Sequence, residues 1–64
     1  MISEYGVKCN FKFGDRVLAY HKHKDKWLKG RFITFNKYNR WCFWVLIDNA
    51  TTVSSFEKCK PIEE

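Results

Sequence analysis

From Gly14 onward the chain alternates apolar and polar positions in short runs, each closed by a polar turn. Residues 14–20, "GDRVLAY", open with a turn-forming Gly-Asp and then set Val17 and Ala19 against Arg16 and Leu18. The polar stretch "HKHKDK" follows, and residues 27–35, "WLKGRFITF", make a second strand. Gly30 inside that strand marks a bend or a close backbone approach. The asparagine-rich "NKYNR" is a turn, and residues 41–48, "WCFWVLID", are apolar on both alternating faces, as in a central, doubly covered strand. "NATT" turns the chain into "VSSF", and "EKCKPIE" closes it, with Pro61 suited to an edge or a strand end because it has no N–H to donate. No 3.6-residue period is sustained and no repeat is visible. Five short, bent strands predict an all-β domain that closes into a small barrel, since closure removes sticky sheet edges. Residues 1–10 read as an N-terminal arm or an extra strand laid across a barrel formed by residues 11–64.

Length makes this one domain: 64 residues leave no room for a linker and a second core. So small a core supplies only about 3–5 kcal/mol unless reinforced. Six phenylalanines, three tryptophans and three tyrosines answer that need, because large rings bury the most apolar area per residue. Cys9, Cys42 and Cys59 are odd in number, form no C-x-x-C pair and read as small buried hydrophobes. "MISEYGVKCNF" lacks the cationic and apolar segments of a signal peptide. The apolar run "WCFWVLI" is too short to span a bilayer. The expectation is a soluble protein of the reducing cytoplasm, with no membrane partner, in which Asn49-Ala50-Thr51 is a chance match to the glycosylation pattern.

Charge changes the picture more. Residues 8–31 carry Lys8, Lys12, Arg16, Lys22, Lys24, Lys26, Lys29 and Arg31 against Asp15 and Asp25. This segment therefore exceeds the whole chain's net charge of +5, while the far end closes on acidic Glu63 and Glu64. One positive lobe favours a polyanion or an acidic protein surface as partner; the same charge also serves solubility.

The order "GDRVLAY…DKWLKG…FWVLIDNATTVSSFEKCKPIE" resembles a Tudor or SH3-like barrel over roughly residues 13–63. The likeness rests on Gly14, Val17, Ala19, Asp25, Trp27, then "VLIDNA", then "CKPI". What the Tudor resemblance implies is the fold. Its methyl-ammonium cage does not carry over, because Leu28, Leu46 and Asn49 stand where the family places aromatic rings, leaving Tyr20 or His21 as a single wall. "KWLKGRF…WVLIDNATTV" is similar to the C-terminal SH3-like domain of retroviral integrases, which implies DNA binding with little sequence preference. Phe13-Gly14-Asp15-Arg16-Val17 also looks like the opening of the plasmid dihydrofolate reductase, whose Val-Gln-Ile-Tyr strand is replaced here by "TTVSSF". The short chain looks like a phage or mobile-element accessory protein.

In a strand, Trp27, Lys29, Arg31 and Ile33 point one way and Leu28, Gly30, Phe32 and Thr34 the other. Leu28 and Phe32 make the second face the core side. Trp27, Lys29 and Arg31 then share an outer face beside the loop of Lys22, Lys24 and Lys26, with Lys8, Lys12 and Arg16 flanking. Cations beside an exposed ring suit a phosphate backbone with stacking bases; the competing picture is a Trp27 that caps the barrel end among solvated lysines. His21 and His23 at i, i+2 lack a third ligand at any fixed spacing, so no metal is expected. No nucleophile elbow or phosphate-cradling glycine loop is present, and Asp48 belongs to a turn as an acceptor of backbone hydrogen bonds. The expectation is a non-catalytic, cofactor-free module that binds DNA or RNA with sequence tolerance. Its rival is a regulator docking on an acidic host protein through the same lobe or through Tyr38 and Trp41, since exposed aromatics anchor interfaces.

Overall fold

The computed structural model describes residues 2–62; Met1 and the acidic Glu63 and Glu64 lie outside the described residues. Five strands, β1 (Arg16–His21), β2 (Lys26–Phe35), β3 (Phe43–Ile47), β4 (Ser54–Phe56) and β5 (Cys59–Pro61), form one antiparallel sheet. Their order is β4-β3-β2-β1-β5, so the last strand returns to pair with the first and the sheet curls around one core. The fold is all-β.

Period-two alternation sets the inner face. Val17 and Ala19 of β1, Phe32 of β2, Phe43 and Val45 of β3 and Phe56 of β4 are buried together. Phe11, ahead of β1, caps them, its ring 5.7 Å from Phe32 and 6.1 Å from Phe43. The N-terminal residues are thus part of the core: Val7, Cys9 and Phe11 all pack on it. Before them Ile2 bridges Lys8 in a tiny hairpin. The buried Ser3 hydroxyl accepts from the Tyr5 and Val7 amides at 3.2 and 3.0 Å. Glu4 N–H donates to the Lys37 carbonyl, tying the hairpin to the β2–β3 loop.

The two halves of β2 behave differently. At Gly30 the partner strand lies so close that an added Cβ would meet the Leu46 carbonyl oxygen at 2.6 Å and Val45 Cγ1 at 2.8 Å. Beyond it the register shifts between Phe32 and Thr34, a bulge that inserts Ile33. An extra residue reverses the parity of everything after it. Thr34, expected on the core side, is therefore exposed, while Phe35 packs on the core with its ring 5.3 Å from Phe43. Ile33, expected on the outer face with Trp27, is half-buried at the bulge. The physical reason is that Phe35 has far more apolar area to bury than Thr34.

β3 begins at Phe43, two residues later than the apolar pattern indicates. The Asn36 and Asn39 side chains cap the preceding loop, accepting from the Tyr38 and Trp41 amides at 3.0 Å each. Trp44 and Leu46 on the outer side of β3 are half-buried rather than fully covered. Pro61 ends β5, an edge strand, where its missing N–H costs nothing.

Candidate nucleic-acid interface

Because Val17 and Ala19 point inward, Arg16, Leu18 and Tyr20 point outward, and cross-strand partners share a face. The register places Arg16 opposite Arg31, Leu18 opposite Lys29 and Tyr20 opposite Trp27. On the other side of β1, Lys60 lies opposite Leu18. Tyr20 N–H donates to the Lys58 carbonyl at 3.0 Å, which carries the same pairing one step further. Lys58 and Lys60, two apart, therefore project on the outer face with Tyr20 and Trp27.

Two aromatic rings form the centre of this face. Tyr20 and Trp27 stand 5.2 Å apart at 54°, and Trp27 is 39% exposed. Lys60 Nζ sits 4.3 Å from the Trp27 ring centroid and Lys58 Nζ 5.6 Å from that of Tyr20. Each ammonium sits over its ring, attracted by the ring's negative face and keeping its own charge. Lys29 and Arg31 extend the face along β2, and both are exposed. The Tyr20 hydroxyl donates to the Asp25 carboxylate, which fixes the ring against the β1–β2 loop. That hydrogen bond, with burial and the Asp25 charge adding to it, holds the phenol above its ordinary value. Asp25 itself takes a left-handed backbone, φ 49°, to end the loop.

The residues singled out from sequence divide. Trp27, Lys29 and Arg31 share the outer face. Lys26 does not join them: it is paired with His21 and has the opposite parity. Lys22 and Lys24 are exposed in the β1–β2 loop, where the Lys24 amide donates to His21 Nδ1 at 3.2 Å. Arg16 is on the outer face but engaged, its two terminal nitrogens 2.6 and 2.8 Å from the Asp48 carboxylate oxygens. Asp48, expected to accept backbone hydrogen bonds in its turn, instead receives this guanidinium across β2. Arg16's hydrogen bonds hold its carboxyl below the ordinary value against a smaller opposing effect of burial, helped by the charges of Arg16, Arg31 and Lys29. Lys12 lies in the Lys12–Asp15 turn, where Gly14 and Asp15 bond Phe32 at the other end of β2. Five residues of strand separate Phe32 from Trp27, about 16 Å at the usual rise. Lys8 shares a groove with Lys60 and Pro61.

Lys58, Lys60 and the platform role of Tyr20 were not singled out from the sequence. The available signal was the i, i+2 spacing of the two lysines in the closing segment.

Tyr38 and Trp41, 64% and 49% exposed, line different recesses. Tyr38 lines a shallow groove with Phe35 and Trp44. Trp41 faces the β1–β2 loop across a cleft of about 290 Å³ whose walls include Tyr20, His21, His23 and Glu57. The two histidine rings lie edge to face at 6.1 Å. Among the described residues, no three His, Cys, Asp or Glu side chains are grouped to hold a metal ion. Cys9 and Cys42 are buried, and Cys59 is half-buried with its thiol pushed up to about 12, chiefly by burial. Also among the described residues, no helix is long and apolar enough to cross a membrane. Comparison with protein-family models, with curated proteins and with solved structures finds no match.

Proposed function

We propose that this chain is a non-catalytic binding module that takes DNA or RNA, with little sequence preference, on the outer face of β5, β1 and β2. The observation that carries the reading is the Tyr20–Trp27 ring pair bracketed by Lys58 and Lys60. Rings supply a stacking surface every base can use, and the surrounding cations meet the phosphates. Lys29 and Arg31 lengthen the basic track, and the net charge of +5 draws a polyanion to it. The kinship with SH3-like and Tudor-like barrels, a cytoplasmic setting and a phage or mobile-element origin belong to the same reading. The kinship rests on the order of the sequence motifs and on a last strand that pairs with the first, the cytoplasmic setting on the odd, unpaired cysteines, and the origin on the resemblance of the short chain.

A salt titration tests it. With Lys29, Arg31, Lys58 and Lys60 each meeting one phosphate, log K for a single strand falls against log salt with a slope of about −3. Replacing Lys29 and Arg31 together by alanine lowers that slope by about 1.4. Absence of binding to both DNA and RNA at about 50 mM salt overturns the reading.

A second reading, docking on an acidic protein, is favoured by the groove beside Tyr38, where Lys37 Nζ stands 5.1 Å from the exposed ring. Capture of a protein partner that survives nuclease treatment and is lost on Tyr38→Ala supports it.

A further inference from the structure

The ring platform does not stop at Tyr20. The same residue lines a cleft together with Trp41 and the β1–β2 loop histidines, so the outer face adjoins this recess. At about 290 Å³ the cleft lies at the small end of ligand pockets and has room for one base, not a base pair. Its chemistry is unlike that of the platform. The Trp41 and Phe56 rings line it beside His21 and His23, Lys22 brings a cation, and among the described residues Glu57 is its one carboxylate. Arg40 Nε is 3.7 Å from Glu57 Oε1, near enough for an ion pair but too far for a hydrogen bond, so the carboxylate keeps its acceptor capacity. The Glu57 side chain is 27% exposed, sheltered enough for a hydrogen bond to it to discriminate between ligands.

Resting on the nucleic-acid reading above, we propose that this cleft is a subsite for a single unpaired base bearing an exocyclic amine. A carboxylate only accepts hydrogen bonds. At ring position 4 cytosine presents an amino donor where thymine and uracil present a carbonyl, so Glu57 held to that position attracts the first and repels the others, whose one donor on this edge is the adjacent imide N–H. Lys22 supplies the cation for the adjoining phosphate. His21 also lines the cleft, its Nδ1 accepting from the Lys24 amide and its other ring nitrogen carrying the proton. The face that is sequence-tolerant on its platform is thereby selective at one nucleotide. A cationic guest is opposed by Lys22 and by the net charge of +5.

The test compares octamers of deoxycytidine and deoxythymidine, pyrimidines of equal charge, on the intact chain at fixed salt. The expected result is about tenfold tighter binding of the cytidine octamer, the worth of one charge-assisted hydrogen bond. In Glu57→Gln both octamers bind more tightly because a negative charge is gone, and the ratio falls toward one. A carboxylate acting only through its charge moves both affinities and leaves the ratio unchanged, which overturns the proposal. Equal affinities in the unmodified protein, with the salt slope intact, overturn the cleft assignment and leave the outer face standing. Binding of neither octamer at low salt overturns the nucleic-acid reading itself. Trp41→Ala provides the independent check: it abolishes the cytidine preference while retaining thymidine binding on the platform. Tight binding of a methylammonium peptide that is lost in Trp41→Ala also overturns the assignment.

Discussion

Replacing Gly30 by alanine tests whether the close approach of β2 and β3 shapes the outer face. The added Cβ would lie 2.6 Å from the Leu46 carbonyl oxygen and 2.8 Å from Val45 Cγ1. The nearer atom belongs to the backbone, so no rotamer change relieves it. β3 must retreat by about 0.8 Å to restore ordinary contact. That retreat stretches the pairing of Gly30 with Ile47 and the 3.1 Å bond from the Asp48 amide to the Lys29 carbonyl. Overpacking of this kind costs about 1–3 kcal/mol. Gly30 does not have a positive φ, so alanine meets no backbone strain and recovers about 0.4–1 kcal/mol from a less flexible unfolded chain. The net loss is about 1.5 kcal/mol, against the few kcal/mol that hold so small a domain together. At about 4–8 °C per kcal/mol, Tm falls by roughly 6–12 °C. Thermal unfolding followed by tryptophan fluorescence reads this directly. Because Asp48 moves with β3, the Arg16–Asp48 pair loosens as well. An unchanged or raised Tm would refute the reasoning, for it would mean that β3 yields at no cost.

Trp27→Ala weakens single-strand binding by about 5- to 100-fold while leaving the salt slope near that of the unmodified protein, because stacking is lost and charges are not; a change in slope alone contradicts the platform. Asp48→Asn ends the Arg16–Asp48 ion pair and removes a negative charge from the basic face, so affinity rises, as read in the same titration. The Asp48 carboxyl is depressed in the folded state, so its stabilisation is full above the ordinary carboxylate pKa and is lost as pH falls through the lower folded value. Acid unfolding below about pH 4 therefore has a component that Asp48→Asn lacks. Cys59, with its thiol at about 12, favours the fold below the ordinary thiol pKa and loses that contribution as pH rises toward 12. At pH 8.5 its alkylation by iodoacetamide, mapped by peptide analysis, is at least about a hundredfold slower in the native than in the denatured chain.

What was legible in the sequence and what was not follow from the range of the signals. Period-two alternation is local, and it correctly turned Val17, Ala19 and Phe32 inward and Trp27, Lys29 and Arg31 outward. It failed at Ile33, because no glycine or proline marks that bulge and only pairing with Val45 and Trp44 reveals the extra residue. Alternation assigns a face but not the neighbours on it, and the candidate site is made of neighbours. Lys58 and Lys60 reach the platform only because β5 pairs with β1, and Trp41 shares a cleft with the histidines only through the tertiary fold. The charge count misled for the same reason. Arg16 lies in the basic segment, yet it is spent on Asp48, 32 residues away, and that carboxylate sits among Lys29 and Arg31 on the face it weakens. The cations of residues 8–31 therefore do not share one face. The candidate face keeps Lys29 and Arg31 from that segment and draws its remaining cations from a closing strand whose acidic flank had hidden them.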